Sequence, residues 1–386
     1  MNLLLFPSGD ALHDLVLPLH LRPERVWLLA TPEHADSQAS LGRLLGGHGL
    51  PSEKLSLPEF DNCTDPSGAL IELLAPVIEG ERDAPLILAL GASASPWELV
   101  AEQVLAGLLE ERDLRVLALT GQARRMVQLR PSPITLSEVP SLLVPDDYLG
   151  ACGATLRRAS SDSTDYAENA HERRELSLEM ARRCGELGGS IGALNYVAIR
   201  ALDRETEALT YPRQHLSRQP GQALREMLDA FQSAGLIDYD GRRELVFQST
   251  AACRYLAGGW LEEYAWLTAS ELEVEHLSAG LELTWNGGRG MEPRNELDLF
   301  VLHHNRALTV ECKTANMGRG DTTARILYKL DSIADRLSSL PGNAVLLSAR
   351  EVPELIVKRA DAQGIAVLSG GQLPRFRDWL RRWMKN

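Results

Sequence analysis

The sequence predicts an α/β protein with a doubly wound parallel sheet first, a winged-helix-like spacer next and an αβββαβ domain last. Three observations support this. Short apolar runs alternate with helical patterns over residues 1–145, the order helix, helix, hairpin follows over residues 188–257, and a second α/β pattern surrounds a hairpin at Asn295–Thr314. At 386 residues the chain is too long for a single ordinary core.

The first 145 residues carry the strand–helix alternation of a doubly wound sheet. The buried-strand candidates are Leu3–Phe6, Arg25–Ala30, Leu86–Leu90 and Arg115–Leu119. Helical patterns lie between them at about 36–49, 66–79 and 96–111.

Two small, hydroxyl-rich loops follow strands of this sheet, where doubly wound folds bind ligands. The first contains Ser8, Gly9 and Asp10. The second runs Gly91, Ala92, Ser93, Ala94, Ser95 and opens a helix, whose free N–H groups favour an anion. The alternative is a pair of ordinary strand-to-helix turns with Ser or Asp caps.

The middle of the chain has a different pattern. Residues 166–187 have mixed charge at helical spacing and predict a solvated helix. The order of a winged helix follows, in the segments Gly192–Asp203, Gln222–Ala234, Leu236–Tyr239 and Glu244–Phe247. Because Gln222–Ala234 carries only one basic residue, Arg225, this module fits a spacer better than a DNA-binding element.

The C-terminal part predicts a second α/β unit. A helix opens after Gly258-Gly259, and the hairpin lies among these further elements: strands Leu272–Leu277 and Leu281–Trp285, helix Thr322–Leu340, strand Ala344–Ser348, helix Glu354–Gln363, strand Ile365–Leu368 and helix Leu373–Met384.

The hairpin holds the best candidate for a catalytic centre. A two-residue loop at His304-Asn305 places Asp298 opposite Glu311, with Cβ atoms roughly 5 Å apart, and directs Lys313 to the same face. Two carboxylates so close repel each other unless a cation lies between them, and oxygen ligands suit Mg²⁺ or Mn²⁺. The alternative is a solvent-facing hairpin whose charges keep it soluble.

Charge and cysteine content limit the expected partners and cellular location of the protein. The net charge is −13, but residues 301–386 hold 14 Lys and Arg against 8 Asp and Glu, so a phosphate-rich partner is expected at that end. Five widely spaced cysteines, no apolar run of membrane length and no signal-peptide pattern lead us to expect a cytoplasmic protein without a membrane partner.

The hairpin and its flanks resemble the PD-(D/E)xK nuclease core, and the chain as a whole resembles the CRISPR ancillary nucleases that join a CARF sensor to such a nuclease. The matching residues are Gly-Gly-Trp-Leu-Glu-Glu-Tyr at 258–264, Asn-Glu-Leu-Asp at 295–298, Glu-Cys-Lys at 311–313 and Tyr-Lys-Leu at 328–330. The resemblance implies a CARF-like sensor over 1–145, a linker and winged-helix-like spacer over 146–255 and a nuclease domain over 256–386.

The resemblance also implies a function. It implies a homodimer that binds a cyclic oligoadenylate, foremost cyclic tetra-adenylate, between its sensor domains. The two hydroxyl-rich loops, Ser8–Asp10 and Gly91–Ser95, are the candidates for this contact and are called the sensor loops. Binding would activate metal-dependent cleavage of single-stranded DNA or RNA, or nicking of duplex DNA, in type III CRISPR defence. The family's usual Thr-Gly-Gly-Thr-Lys loop is replaced here by Gly-Ala-Ser-Ala-Ser at 91–95, without the lysine that would meet a phosphate.

Roles for individual residues follow from this resemblance and from charge. Asp298 and Glu311 would hold Mn²⁺ or Mg²⁺, a carboxylate of the first helix would join them (Glu262, with Glu263 next), and Lys313 would act on the phosphate. The alternative for Glu262 is a first-turn acid that favours the helix dipole. Candidates for the substrate backbone, or else solvated surface charges, are Arg294, Arg319, Arg325 and Lys329.

Two other functions remain open on the sequence. One is a constitutive repair or restriction-type nuclease whose first domain only dimerises. The other is a ligand-sensing, DNA-binding regulator with a silent nuclease fold. The intact set of Asp298, Glu311 and Lys313 argues against silence, and the acidic helix at Gln222–Ala234 argues against DNA binding there.

Overall fold

A computed structural model describes the chain over residues 1–7, 11–80, 85–91, 95–109, 114–120, 124–285, 295–316, 321–337 and 342–385. The chain divides into two compact units, the first made mainly of Met1–Leu156 and the second mainly of the residues that follow. The hairpin tip, Leu302–Arg306, groups with the first unit. Among the described residues, no helix is both long and apolar enough to span a membrane.

The first unit is built on a seven-stranded sheet with the order β3-β2-β1-β4-β5-β6-β7. Its strands are β1 (Asn2–Leu5), β2 (Arg25–Ala30), β3 (Ser52–Ser56), β4 (Leu86–Leu90), β5 (Leu114–Thr120), β6 (Arg125–Arg130) and β7 (Thr135–Glu138). Its helices are α1 (Ala11–Leu21), α2 (Ala35–Gly47), α3 (Pro66–Gly80), α4 (Pro96–Leu108) and α5 (Pro145–Ala151). The first five strands pair in parallel, and β6 and β7 extend the sheet antiparallel.

The strand order reverses between β1 and β4, which lie side by side in parallel register. The chain runs from β1 outward to β3 and then returns to the other side of β1. Such a reversal opens a crevice beyond the carboxyl ends of the two strands. Both sensor loops of the sequence begin there, because they follow β1 and β4 directly.

The second unit starts with helices and a small sheet. Its first elements are α6 (Thr164–Glu172), α7 (Arg174–Leu187), α8 (Gly189–Ala201), β9 (Arg213–His215), α9 (Gln222–Ser233), β10 (Ile237–Tyr239), β11 (Glu244–Phe247) and α10 (Thr250–Arg254). The strands form a three-stranded sheet in the order β10-β11-β9. Helices α8 and α9 are followed by the hairpin of β10 and β11, which is the predicted winged-helix-like order. The buried stripe of α9 consists of Leu224, Met227, Leu228 and Phe231.

A six-stranded sheet with the order β16-β15-β14-β13-β12-β8 forms the rest. Its strands are β8 (Ala154–Ala159), β12 (His276–Trp285), β13 (Asn295–His303), β14 (Arg306–Lys313), β15 (Ala344–Ser348) and β16 (Ile365–Ser369). Its helices are α11 (Trp260–Ser270), α12 (Asp321–Leu337), α13 (Glu354–Ala362) and α14 (Phe376–Lys385). The order α11, β12, β13, β14, α12, β15 is the predicted αβββαβ arrangement.

Two expectations need correction. The two strands expected at Leu272–Leu277 and Leu281–Trp285 are one strand, because the chain turns after α11 and pairs only from His276. Residues 166–187 are not a solvated helix: they split into α6 and α7, and α7 buries Met180, Ala181 and Cys184. The sequence patterns also missed β3, β7, β8 and β9, which all lie at sheet edges, where a strand needs less apolar sequence.

Candidate active site

The hairpin of β13 and β14 has the two-residue turn that the sequence predicts. His304 and Asn305 have φ values of 50° and 61°, and positive φ at both central residues is typical of a type I′ turn. Asn305 is 1% exposed, and its side-chain oxygen accepts the N–H groups of Leu142 at 2.8 Å and Leu143 at 3.1 Å. Its amide nitrogen donates to the carbonyl of Pro140 at 2.9 Å. Both polar atoms of the Asn305 side chain therefore form hydrogen bonds that fix the turn.

The turn brings Asp298, Glu311 and Lys313 to one face of the sheet. Lys313 Nζ lies 2.6 Å from Glu311 Oε1 and 3.4 Å from Asp298 Oδ2. Asp298 Oδ2 also accepts the backbone N–H of Cys312 at 2.6 Å. Glu311 is 4% exposed, so two carboxylates and one ammonium group share a mostly buried space.

Glu262, in the first turn of α11, belongs to the same electrostatic cluster. Burial raises the pKa of Glu262 to about 8, and the charges of Asp298 and Glu296 add to that increase. Burial, followed by the charge of Glu311, raises the pKa of Asp298 to about 6. Burial alone would lower the pKa of Lys313, but the charges of Asp298 and Glu311 outweigh it and raise that pKa.

Glu263, the second candidate on this helix, has a different partner. Its Oε1 lies 2.5 Å from Arg173 Nη2 and its Oε2 lies 3.1 Å from Arg173 Nε, a two-point ion pair. The Arg173 guanidinium also lies over the ring of Tyr255, 4.9 Å from its centroid. Glu263 therefore anchors α11 on its far side, which leaves Glu262 as the carboxylate of this helix in the cluster.

The residues present fit a divalent cation. Glu262, Asp298 and Glu311 supply carboxylate oxygens, the ligands that Mg²⁺ and Mn²⁺ prefer. Burial and neighbouring carboxylates both disfavour the ionised forms of Glu262 and Asp298, and a cation at this site would relieve both effects. Lys313 offsets only part of this negative charge.

Of the four proposed substrate-binding residues, the structure describes one side chain. Lys329 Nζ lies 3.8 Å from Glu311 Oε2 and 3.5 Å from the carbonyl oxygen of Glu296, and its side chain is 45% exposed. It thus lies at the edge of the cluster, with access to solvent. Arg294, Arg319 and the side chain of Arg325 lie outside the described residues.

The sensor loops are described only in part. Ser8, Gly9, Asp10, Ala92, Ser93 and Ala94 lie outside the described residues. The backbone N–H groups of Gly91 and Ser95 donate to the two carboxylate oxygens of Glu98, each at 2.5 Å. Ser95 and Glu98 form a capping box at the start of α4, and Glu98 is 2% exposed. Two N–H groups of this loop, those of Gly91 and Ser95, therefore bind an internal carboxylate.

Comparison with known families identifies the C-terminal part. A family model described as the endonuclease domain of Card1-like proteins matches residues 249–386. Residues 249–386 are therefore similar to the endonuclease domain of Card1-like proteins. The predicted nuclease activity and the predicted resemblance are therefore confirmed for this part of the chain. Among curated protein sequences, none matches the chain significantly.

Solved structures share the fold over the full chain. Protein VC1899 from Vibrio cholerae is 22% identical with a TM-score of 0.84, and the match covers 100% of this chain and 98% of that one. Can2 from Sulfobacillus thermosulfidooxidans, solved with cyclic tetra-adenylate, is 18% identical with a TM-score of 0.78 and coverages of 100% and 97%. At these identities the similarity establishes the fold, and it confirms the predicted fold class.

A third structure is described as a type III CRISPR defence DNA nuclease activated by cyclic oligoadenylate. It is 17% identical with a TM-score of 0.52, and the match covers 90% of this chain but 45% of that one. The chain thus spans less than half the length of that nuclease.

The sequence predicted the carboxylates and the lysine of the site, but it did not reveal the groups that position them. Arg173 lies about 90 residues before Glu263 in a segment that looked like a solvated helix. The bond from the Cys312 N–H to Asp298 depends on strand geometry that residue types do not reveal. The Ser95–Glu98 capping box, in contrast, is visible as Ser-x-x-Glu, a known signal for a helix start.

Proposed function

We propose that this chain is a metal-dependent endonuclease activated by a cyclic oligoadenylate, foremost cyclic tetra-adenylate, in type III CRISPR defence. One observation carries the catalytic part: Glu311 and Asp298 both contact Lys313 on one face of the hairpin, within a domain that matches the Card1-like endonuclease model. The activator is proposed from the full-length fold shared with Can2, whose structure contains cyclic tetra-adenylate.

Asp298, Glu311 and Glu262 would hold Mn²⁺ or Mg²⁺. When bound, such an ion supplies Lewis acidity to the scissile phosphate and to an attacking water. The backbone N–H of Cys312, bonded to Asp298 Oδ2, fixes the orientation of that carboxylate. The buried position of Glu311 keeps competing bulk water away from its oxygens.

Lys313 serves as a positive charge at the phosphate. The charges of Asp298 and Glu311 raise the pKa of this amine, so we assign it the role of a positive charge rather than that of a base. Its Nζ lies between Glu311 and Asp298, where it can stabilise charge that develops on a phosphate oxygen.

Substrate binding is assigned to Lys329 together with Arg294, Arg319 and Arg325. Contacts of Lys and Arg to phosphates supply most of the affinity that does not depend on sequence. Residues 301–386 carry a balance of +6 while the whole chain carries −13, which supports a nucleic acid substrate at this end. Single-stranded DNA or RNA is the proposed substrate, with nicking of duplex DNA as a further activity.

The sensor proposal is that a cyclic oligoadenylate lies in the crevice beyond β1 and β4, in a homodimer. The strand order reverses at that point, the usual ligand position in doubly wound sheets. The residues assigned to it are Ser8, Gly9, Asp10, Gly91, Ala92, Ser93, Ala94 and Ser95. Because Glu98 occupies the N–H groups of Gly91 and Ser95, the phosphates would reach these amides only if Glu98 moves.

That same contact favours a second candidate function. If Glu98 keeps these N–H groups, an anion cannot bind to them, which favours a constitutive nuclease whose first unit only dimerises. This alternative requires cleavage that does not change when cyclic oligoadenylates are added.

The experiment combines both questions. Purified protein is incubated with Mn²⁺ or Mg²⁺ and with labelled single- and double-stranded DNA and RNA, with and without each cyclic oligoadenylate. We expect cleavage that needs the metal and increases with one cyclic oligoadenylate. Lys313→Ala and Glu311→Ala should each lower cleavage by about 10²- to 10³-fold.

Lys358→Ala is the matched control, because Lys358 is 72% exposed and forms an ion pair with Glu354 one helical turn away. Full cleavage by Lys313→Ala or Glu311→Ala would overturn the site. Metal-dependent cleavage that ignores every cyclic oligoadenylate would keep the site and select the constitutive nuclease.

A further inference from the structure

Thr314 directly follows Lys313 at the point where β14 leaves the sheet. Lys313 is the last residue of β14 paired with β15, opposite Ser348, and its carbonyl accepts the N–H of Ala349 at 2.9 Å. Beyond this point the strand ladder no longer fixes the chain. The position of Lys313 relative to α11 therefore depends on side-chain contacts made just after it.

Thr314 makes such a contact with α8. Its hydroxyl oxygen lies 2.8 Å from the side-chain amide of Asn195, which is 7% exposed. In the amide orientation that satisfies both ends, Asn195 accepts from Thr314 and donates to the carbonyls of Ile191 at 3.0 Å and Leu256 at 3.1 Å. One buried amide thus joins α8, the end of β14 and the turn before α11.

The same threonine packs against that turn. Tyr255–Gly259 is a π-helical turn, and Gly258 within it has a φ of 152°. A Cβ on Gly258 would lie 2.8 Å from Thr314 Oγ1, so only glycine allows this approach. The turn leads directly into α11, where Glu262 lies in the first helical turn.

Together these contacts fix where α11 starts relative to the strand of Glu311 and Lys313. The need for this is electrostatic, because carboxylates on α11 and the hairpin repel one another before a cation binds. We propose that Thr314 and Asn195 are positioning residues of the nuclease site, which hold Glu262 within reach of the cation that Asp298 and Glu311 bind. The proposal rests on the proposed catalytic site.

The test measures metal binding without nucleic acid, by calorimetric titration of Mn²⁺ into the full-length protein. Thr314→Val keeps the shape and removes the hydroxyl, and Asn195→Ala removes the amide. Each should weaken Mn²⁺ binding by about tenfold and raise by a similar factor the Mn²⁺ concentration for half-maximal cleavage. Thr314→Ser keeps the hydroxyl and should bind Mn²⁺ as the natural protein does.

Thr309→Val is the matched control, since Thr309 is a buried threonine within β14 whose hydroxyl contacts the carbonyl oxygen of Asn343. It should leave Mn²⁺ binding unchanged. The double variant Asn195→Ala/Thr314→Val should bind Mn²⁺ within about twofold of Asn195→Ala, because Asn195→Ala already removes the hydrogen bond that Thr314→Val would break.

Three results would overturn the proposal: unchanged Mn²⁺ binding in Thr314→Val and Asn195→Ala, an equal loss in Thr309→Val, or additive losses in the double variant. If Thr314→Val does not fold, Asn195→Ala decides the outcome alone. Failure of the catalytic site itself is seen separately, as full cleavage by Lys313→Ala.

Discussion

Glu98 and Glu262 occupy the same place in their helices and have opposite surroundings. Both lie in the first turn, Glu98 in α4 and Glu262 in α11. The two oxygens of Glu98 accept N–H groups from Gly91 and Ser95. Glu262 faces Asp298 and Glu296, and burial with their charges raises its pKa to about 8.

An acid in the first turn of a helix thus acts as a cap only where the chain supplies N–H groups to its carboxylate. The Glu98 carboxylate is satisfied from within the protein and stabilises its own helix start. The Glu262 carboxylate lies near other acidic side chains, so a bound cation would be its most favourable partner.

Glu262→Gln should lower metal-dependent cleavage by about 10²-fold, since it removes one charged oxygen donor from the cation site. The measurement is the initial rate with Mn²⁺ at saturating activator. Glu263→Gln should behave differently, because its partner is Arg173, and should act mainly on the melting temperature. If Glu262→Gln cleaves as fast as the natural protein, Glu262 has no part in the metal site and acts only at the start of its helix, as Glu98 does.

The metal-free protein should lose stability as the pH rises from about 4 to about 8. The folded-state pKa values of Asp298, about 6, and Glu262, about 8, exceed their ordinary values, so the folded protein retains protons that the unfolded chain has released. Thermal unfolding in EDTA across this range gives the measurement. Mn²⁺ should restore the stability at pH 8, and Glu262→Gln should flatten the upper half of the curve. A melting temperature that rises between pH 6 and 8 in EDTA would contradict this.

Glu98→Gln should cost about 1 kcal/mol in the free energy of unfolding, the usual effect of weakening a helix cap. It should also lower the activator concentration for half-maximal cleavage by a few fold, because the N–H groups of Gly91 and Ser95 lose a charged competitor. Glu102→Gln, on the same helix and paired with Arg130, is the control. A higher activator requirement in Glu98→Gln would show that this carboxylate supports the ligand rather than competes with it.

His304→Gly should change the free energy of unfolding by less than about 1 kcal/mol, because glycine accepts the positive φ of 50° at this turn position. Cleavage should stay within twofold of the natural protein, as measured under the same Mn²⁺ conditions. A large loss of cleavage with an unchanged melting temperature would assign the imidazole itself a part in the reaction.

The chemistry of the nuclease site was predictable because it is local in the sequence. Alternation along β13 and β14, with a two-residue turn, is enough to bring Asp298, Glu311 and Lys313 together. Glu262 came from the family resemblance, and the choice between it and Glu263 depends on how α11 enters the fold. That entry is set by the π-helical turn and by Arg173, which only the tertiary structure reveals.

The edges of the fold were not predictable in the same way. β8, with the sequence Ala-Thr-Leu-Arg-Arg-Ala, carries exposed charges and lies in a stretch with the composition of a linker. β3 is likewise polar and half exposed. Edge strands are specified by the neighbour that they pair with, so their own residues carry little signal.

The two-residue turn at His304-Asn305 has a consequence for how this centre tolerates genetic change. Because strand faces alternate with every residue, the turn's length matters more than the identity of its residues. A single inserted codon there would turn Glu311 and Lys313 away from Asp298 while leaving each of them in the protein. Insertions at this one position therefore offer a way to inactivate the enzyme without altering any catalytic residue.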